Sequence, residues 1–156
     1  MAKLLRLPEA TTGAAGADPT LIRLVDFLKD PASHTAGGQP VAVQVAPADK
    51  VEDLAPHLGS MALVAIEFPN TGDGRGYTSA RMLRQRYGFK GEIRAVGPGV
   101  KQDLLFFMAR CGIDSFDLAP TENEAEARQS LQRFTLAYQP AVPRSAVREA
   151  RFTAAR

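Results

Sequence analysis

At 156 residues, with 45% hydrophobic and 23% charged side chains, the chain is long enough to bury one core, and its composition excludes wholesale disorder. A formal net charge of +2 gives no ground for nucleic-acid or membrane binding. The single cysteine, Cys111, excludes an internal disulfide, a zinc ribbon and a self-contained iron–sulfur cluster, and His34 and His57 lack ligand-like spacing, so no metal site is expected.

No apolar run approaches transmembrane length, and Lys3 and Arg6 interrupt Leu4, Leu5 and Leu7, so neither a membrane span nor a secretory segment is expected. The expected location is cytoplasmic. Residues 1–40 are expected to be a leader with one helix. Its stretch 9–17 is small and glycine-rich. Asp18-Pro19 then suits a helix start, because Asp caps and Pro fits the first turn, and Leu21, Leu24, Val25 and Leu28 follow at helical spacing. Pro31, Gly37-Gly38 and Pro40 break the chain again.

From Val41 a strand–helix rhythm predicts an α/β core domain over 41–139. Strands are expected at 41–46, 62–68, 92–97 and 115–118. A short helix over 49–58 carries Pro56. The next, over 76–87, sets Ala80, Leu83 and Tyr87 on one face and turns Arg81, Arg84 and Gln85 away. A third helix, 100–110, is stopped by Gly112. The last opens at Thr121 with a capping box to Glu124 and a buried stripe of Ala127, Leu131, Phe134 and Tyr138. Beyond Pro140 the remainder, 140–156, is expected to be a flexible basic tail, where Arg144, Arg148, Arg151 and Arg156 face the one acid Glu149.

The expected fold is therefore a mainly parallel sheet of four or so strands in successive β/α units, either half of a (β/α) barrel or flavodoxin-like. Gln44, Glu67, Arg94 and Asp117 fall in four different strands and could form one polar layer. A doubly covered sheet would bury those charges at high cost, which leans toward the half barrel, with one face left to water or to a partner subunit in a homodimer.

The strongest local feature is Gly72-Asp73-Gly74-Arg75-Gly76-Tyr77, between a strand and a helix. Glycines let backbone approach a ligand, helix-start amides favour anions, and Arg75 adds a planar donor fork for sulfate, phosphate or carboxylate. The plainer account is a tight turn with Asp73 as helix cap. The spacing is not that of a dinucleotide fingerprint, and no Walker lysine motif is present, so neither NAD nor a nucleoside triphosphate is expected. Gly97-Pro98-Gly99 ends the third strand and would lie beside this turn if the strands are neighbours, with Lys101, Gln102 and Asp103 in reach. Glu67, Arg94 and Asp117 form either a charged catalytic layer or mutually compensating ion pairs. Cys111, among Phe107, Met108 and Ile113, reads as a packed small hydrophobe. Phe106-Phe107 reads as core. Arg81, Arg84 and Arg86 read as a solvated face or a contact for an acidic partner.

At Phe68-Pro69-x-x-Gly72-Asp73-Gly74-Arg75-Gly76-Tyr77-x-x-Ala80-Arg81-x-Leu83-Arg84 the sequence resembles a bacterial family. The resemblance continues through Gly91-Glu92-Ile93-Arg94-Ala95-Val96-Gly97, Arg110-Cys111-Gly112-Ile113-Asp114-Ser115-Phe116 and Phe134-Thr135-Leu136-Ala137-Tyr138-Gln139. That family carries the description "probable oxidoreductase involved in sulfite reduction", and its members are typically encoded beside the sulfite/nitrite reductase hemoprotein. The chain departs from it at Asn70-Thr71-Gly72 and at Pro98-Gly99-Val100-Lys101-Gln102-Asp103, and residues 1–39 inherit little.

The resemblance implies a pathway, assimilatory sulfate reduction, and not a reaction. Without a flavin motif, cluster ligands or a second thiol, the residues give no means of moving electrons, so no cofactor is expected. Two expectations follow. The first is a non-redox accessory or adaptor acting with the sulfite reductase hemoprotein, using Gly74, Arg75, Gly76 and Tyr77, supported by Arg81 and Arg94, to hold an anion or a partner. The second is a small half-barrel enzyme on an anionic sulfur compound, with Glu67, Asp73 or Asp117 as acid/base and Arg75 with Arg94 holding substrate. A purely structural interaction module would make both turns ordinary.

Overall fold

Pairing of the buried runs at 41–45, 61–67, 92–96 and 115–118 builds the centre of the molecule, seen in a computed structural model that describes residues 3–7, 19–36, 38, 40–134 and 141–142. In chain order the strands are β1 (Lys3–Arg6), β2 (Ile22–Arg23), β3 (Val41–Val45), β4 (Met61–Glu67), β5 (Glu92–Val96) and β6 (Ser115–Leu118). The helices are α1 (Leu24–Phe27), α2 (Pro31–Thr35), α3 (Arg75–Gln85), α4 (Leu105–Arg110) and α5 (Glu124–Leu131).

The strands form one six-stranded sheet in the order β1-β6-β5-β4-β3-β2. Strands β2 to β6 are parallel and adjacent in sequence order, and β1 closes the far edge antiparallel to β6, with Leu5 opposite Phe116. The sheet has more strands than the expected four because residues before 41 supply two short ones. Their apolar signal is interrupted by Lys3, Arg6 and Arg23, yet Leu5, Leu24 and Phe27 are fully or almost fully buried. Ile22 pairs with Val43, which leaves only Leu24–Phe27 of the expected first helix. The parallel order contains no reversal, which a flavodoxin-like sheet requires.

Successive crossovers of one hand between adjacent strands put their helices on one side. Val43, Val45, Val64, Ile66, Ile93, Ala95 and Phe116 meet Leu24, Phe27, Leu54, Leu83, Leu105, Met108 and Ala127 in the main core. The alternate residues of the same strands face the other way. Registers align Gln44, Ala65, Arg94, Ser115 and Arg6 in one row across that second face. A smaller apolar cluster of Ala42, Leu63, Ala65 and Val96, with Leu21 against it, lies there too.

Several helices differ from expectation. The segment over 49–58 is a 3₁₀ helix, Val51–Ser60, with Pro56 inside it. Pro lacks the N–H that an α-helix interior needs. In α5 the cap is Asn123, whose side chain accepts from the Ala125 N–H at 2.9 Å, and Thr121 lies outside the helix. The helix stops at Leu131, so Phe134 leaves the buried stripe and is 50% exposed. Phe107 is also a correction: α4 buries Leu105 and Met108, and Phe107 on the opposite side is 51% exposed. Tyr138, the glycine-rich stretch 9–17 and residues 143–156 lie outside the described residues. No helix among the described residues is long and apolar enough to cross a membrane.

Candidate functional site

The turn from β4 into α3 is organised by Asp73. Its carboxylate accepts from the Arg75 backbone N–H at 3.2 Å, from Arg75 Nε at 3.0 Å and from Nη2 at 2.7 Å. The side-chain bonds from Arg75, then its backbone N–H, hold the Asp73 carboxyl below the usual carboxylate range. The Asp73 side chain is mostly covered, whereas that of Arg75 is 62% exposed. Asp73 is therefore a clamp for Arg75, set one position before the helix cap.

Gly74 precedes α3 as its N-cap. At Gly76 a Cβ would fall 2.6 Å from Cζ of Phe68, so glycine is required for that ring to seat. Phe68 meets Tyr77 edge-on, with ring centroids 5.3 Å apart. Tyr77 is half-buried, and burial, then nearby Cys111 and Asp103, push its phenol up. Gly76 and Tyr77 thus anchor the turn to the core and leave Arg75 as its outward element.

The second turn lies against the first, as neighbouring strands require. The Phe68 N–H donates to the Val96 carbonyl and the Gly99 N–H donates to the Phe68 carbonyl, each at 2.8 Å. Gly97 has φ +103°, and a Cβ there would be 2.6 Å from the Phe68 carbonyl oxygen. At Gly99 a Cβ would be 2.5 Å from the carbonyl oxygen of Asn70. Backbone approach this close explains both glycines. Lys101 and Gln102 turn to the next loop instead: Lys101 Nζ is 3.1 Å from Glu122 Oε1, and the Gln102 N–H donates to Oε2 at 3.4 Å.

The second sheet face carries the remaining candidates. Glu67 accepts from Gln44 Nε2 at 3.4 Å. Arg94 is almost completely buried and donates to Oε1 of Glu92 through Nε at 3.1 Å and Nη2 at 3.0 Å. Ser115 Oγ donates to the same oxygen at 2.6 Å, and Arg6 Nε lies 3.7 Å from it. Glu92, fully buried, is the hub of this group, and its position at a strand start gave no sequence signal. The row of Glu67, Val96 and Asp117 lies next along the strands, with Asp117 one residue beyond the Ala95–Phe116 pair. Glu67 and Asp117 thus share a face, roughly 10 Å apart at two strand spacings. Arg94 sits within this layer, paired to Glu92, whereas Arg75 is held by Asp73 in the turn.

Arg81, one turn along α3, donates from Nε to Gln85 Oε1 at 2.9 Å on an exposed face. Arg84 does not belong to that face. Its side chain is 4% exposed and donates to the carbonyls of Gly112 at 3.0 Å, Phe89 at 2.7 Å and Gly91 at 2.8 Å. Its other terminal nitrogen binds the Asp114 carboxylate. The Cys111 thiol is pushed up by burial, against a smaller opposing pull from Arg81 and Arg110. Among the described residues no group of three or more His, Cys, Asp or Glu is disposed to hold a metal ion.

These features define a mainly parallel α/β protein with interlocked turns at the C-terminal ends of two central strands. The profile of a family described as "Bacterial protein of unknown function (DUF934)" matches residues 42–147, and the chain belongs to that family. No curated protein matches the chain.

Proposed function

We propose that this protein is an accessory or adaptor component of assimilatory sulfite reduction that works in the cytoplasm with the sulfite reductase hemoprotein. Its contact surface is the Asp73–Tyr77 turn, backed by Gly97-Pro98-Gly99. The observation that carries this reading is the Asp73–Arg75 clasp, which holds an exposed guanidinium in a set orientation at the C-terminal end of a central strand. Pre-orientation lowers the ordering cost of binding, and Nη1, which Asp73 does not engage, is a charged donor for a carboxylate or a sulfur oxyanion. The resemblance of the Gly72–Tyr77 motif supplies the pathway.

The test is a tagged pull-down from cells grown on sulfate as sole sulfur source, wild type beside Arg75→Ala. Specific capture of the hemoprotein, lost in the variant, is the expected result. Equal capture by a folded variant removes the site, and no capture by the wild type removes the adaptor.

A second reading rests on Glu67 and Asp117 sharing the polar sheet face. Here the singly wound sheet is half of a (β/α) barrel, those carboxylates perform acid/base chemistry, and Arg94 and Arg75 attract an anionic sulfur compound. Asp73 has no part in it, because Arg75 occupies its carboxylate. Turnover of a sulfur oxyanion by the purified protein, abolished by Glu67→Gln, would replace the adaptor reading.

A further inference from the structure

Apart from Val25, the exposed large hydrophobic side chains among the described residues are Phe107 and Phe134, and they belong to one patch. Phe106 joins them: its ring centroid is 5.7 Å from that of Phe107 and 5.1 Å from that of Phe134. The Arg110 guanidinium lies over the Phe106 ring at 5.7 Å. Aromatic rings in edge-on and tilted contact, with arginine at the margin, are the composition of an interface centre.

The patch is also polar in the electrostatic sense. Just before α4, Asp103 and Glu126 line a surface cleft together with one cation, Arg133, so the cleft lining carries an excess of negative charge. At the other end, Arg110 closes α4, and Arg81 lies close enough that both arginines act electrostatically on Cys111, so two cations stand at that end. The two ends are separated by roughly 10 Å along the chain at helical rise. A surface negative at one end, positive at the other and aromatic between is complementary to itself when turned through a half-rotation.

We propose that this ridge is the self-association surface of the protein. Two copies pair across a two-fold axis near Phe107, with α4 antiparallel to α4, so that each Asp103 end meets the Arg110 end of the other. The occupant is a second copy because the charge pattern matches its own reverse. A partner of uniform charge would meet repulsion at one end. The inference stands apart from the sulfite-reduction reading, since the Asp73–Arg75 clasp takes no part in it.

Sedimentation equilibrium of the full chain across the micromolar range tests it, with Phe107→Glu as the variant. Phe107 is half exposed in the single chain, so an unchanged circular dichroism spectrum and melting curve are expected of the variant. The wild type should dimerise, and the variant should dissociate at least about 30-fold more readily, as for a central interface residue. As a second measurement, Phe107→Cys combined with Cys111→Ser should give a disulfide-linked dimer under mild oxidation. A wild type that stays monomeric throughout overturns the proposal and leaves the ridge to an unrelated partner. A dimer untouched by Phe107→Glu, or an absence of cross-link, overturns it equally.

Discussion

Arg84 of α3 and Asp114, just before β6, form an ion pair inside the protein, with side chains 4% and 8% exposed. Asp114 also accepts from the Ile93 N–H at 2.8 Å, and Arg84 satisfies three backbone carbonyls, so one pair ties a helix, a turn and two strands together. Removing one partner of a buried pair strands the other's charge, which costs about 3–5 kcal/mol. Arg84→Met should therefore lower the unfolding free energy by about that amount in urea denaturation. A loss within the scatter of surface substitutions would place Arg84 in solvent.

The interlock of the two turns is as sensitive. Alanine at Gly99 would set its Cβ against a backbone carbonyl that no side-chain rotation can move aside. Gly99→Ala should cost at least about 2 kcal/mol, as overpacking does, without altering Arg75 itself. Gly74→Ala is the control. Nothing lies within 4 Å of a Cβ there and the backbone is already helical, so the loss should stay below about 1 kcal/mol. Equal melting points for the two variants would contradict the close approach.

The central strands were legible because Val41–Val45, Met61–Glu67 and Glu92–Val96 are short apolar or mixed runs bounded by turn residues. The glycine turn was legible too, but its plainer account, Asp73 as cap, was not right: Gly74 caps α3 without a side-chain bond, and Asp73 clamps Arg75 instead. What escaped depends on partners distant in sequence. Nothing local distinguishes Arg84 from Arg81, although one is buried and the other exposed, since only the fold brings Gly112 and Asp114 to Arg84. Glu92 looks like a solvated strand start until Arg94, Ser115 and Arg6 converge on it. Phe107 looks like core because hydrophobicity does not reveal which side of a one-and-a-half-turn helix faces the sheet.

The Asp73–Arg75 clasp has a pH signature. Arg75 depresses the Asp73 carboxyl, so whatever the clasp contributes is present above the usual carboxylate range and is lost as pH falls through the depressed value. Arg75 stays charged throughout. In an NMR titration the Asp73 carboxyl carbon should move at a lower pH than those of solvated aspartates, and Arg75→Ala should return it to their range. An ordinary midpoint in the wild type would mean that the guanidinium is not held.

Cys111 makes the opposite case, and as the single cysteine it can be followed without interference. Burial raises its pKa, so the folded protein keeps the thiol protonated where an unfolded chain has begun to ionise. The folded state then binds more protons than the unfolded state over that window. The contribution of the thiol is therefore complete below the ordinary thiol range and declines as pH rises through it toward the raised value. Thiolate is the reactive species, so a disulfide reagent at mildly alkaline pH should label the native protein at least about tenfold more slowly than the urea-unfolded chain. Arg81→Gln should slow labelling further, because the Arg81 charge is among those that favour the thiolate. Native labelling as fast as that of the unfolded chain would mean that Cys111 is exposed, and would reopen it as a reactive group.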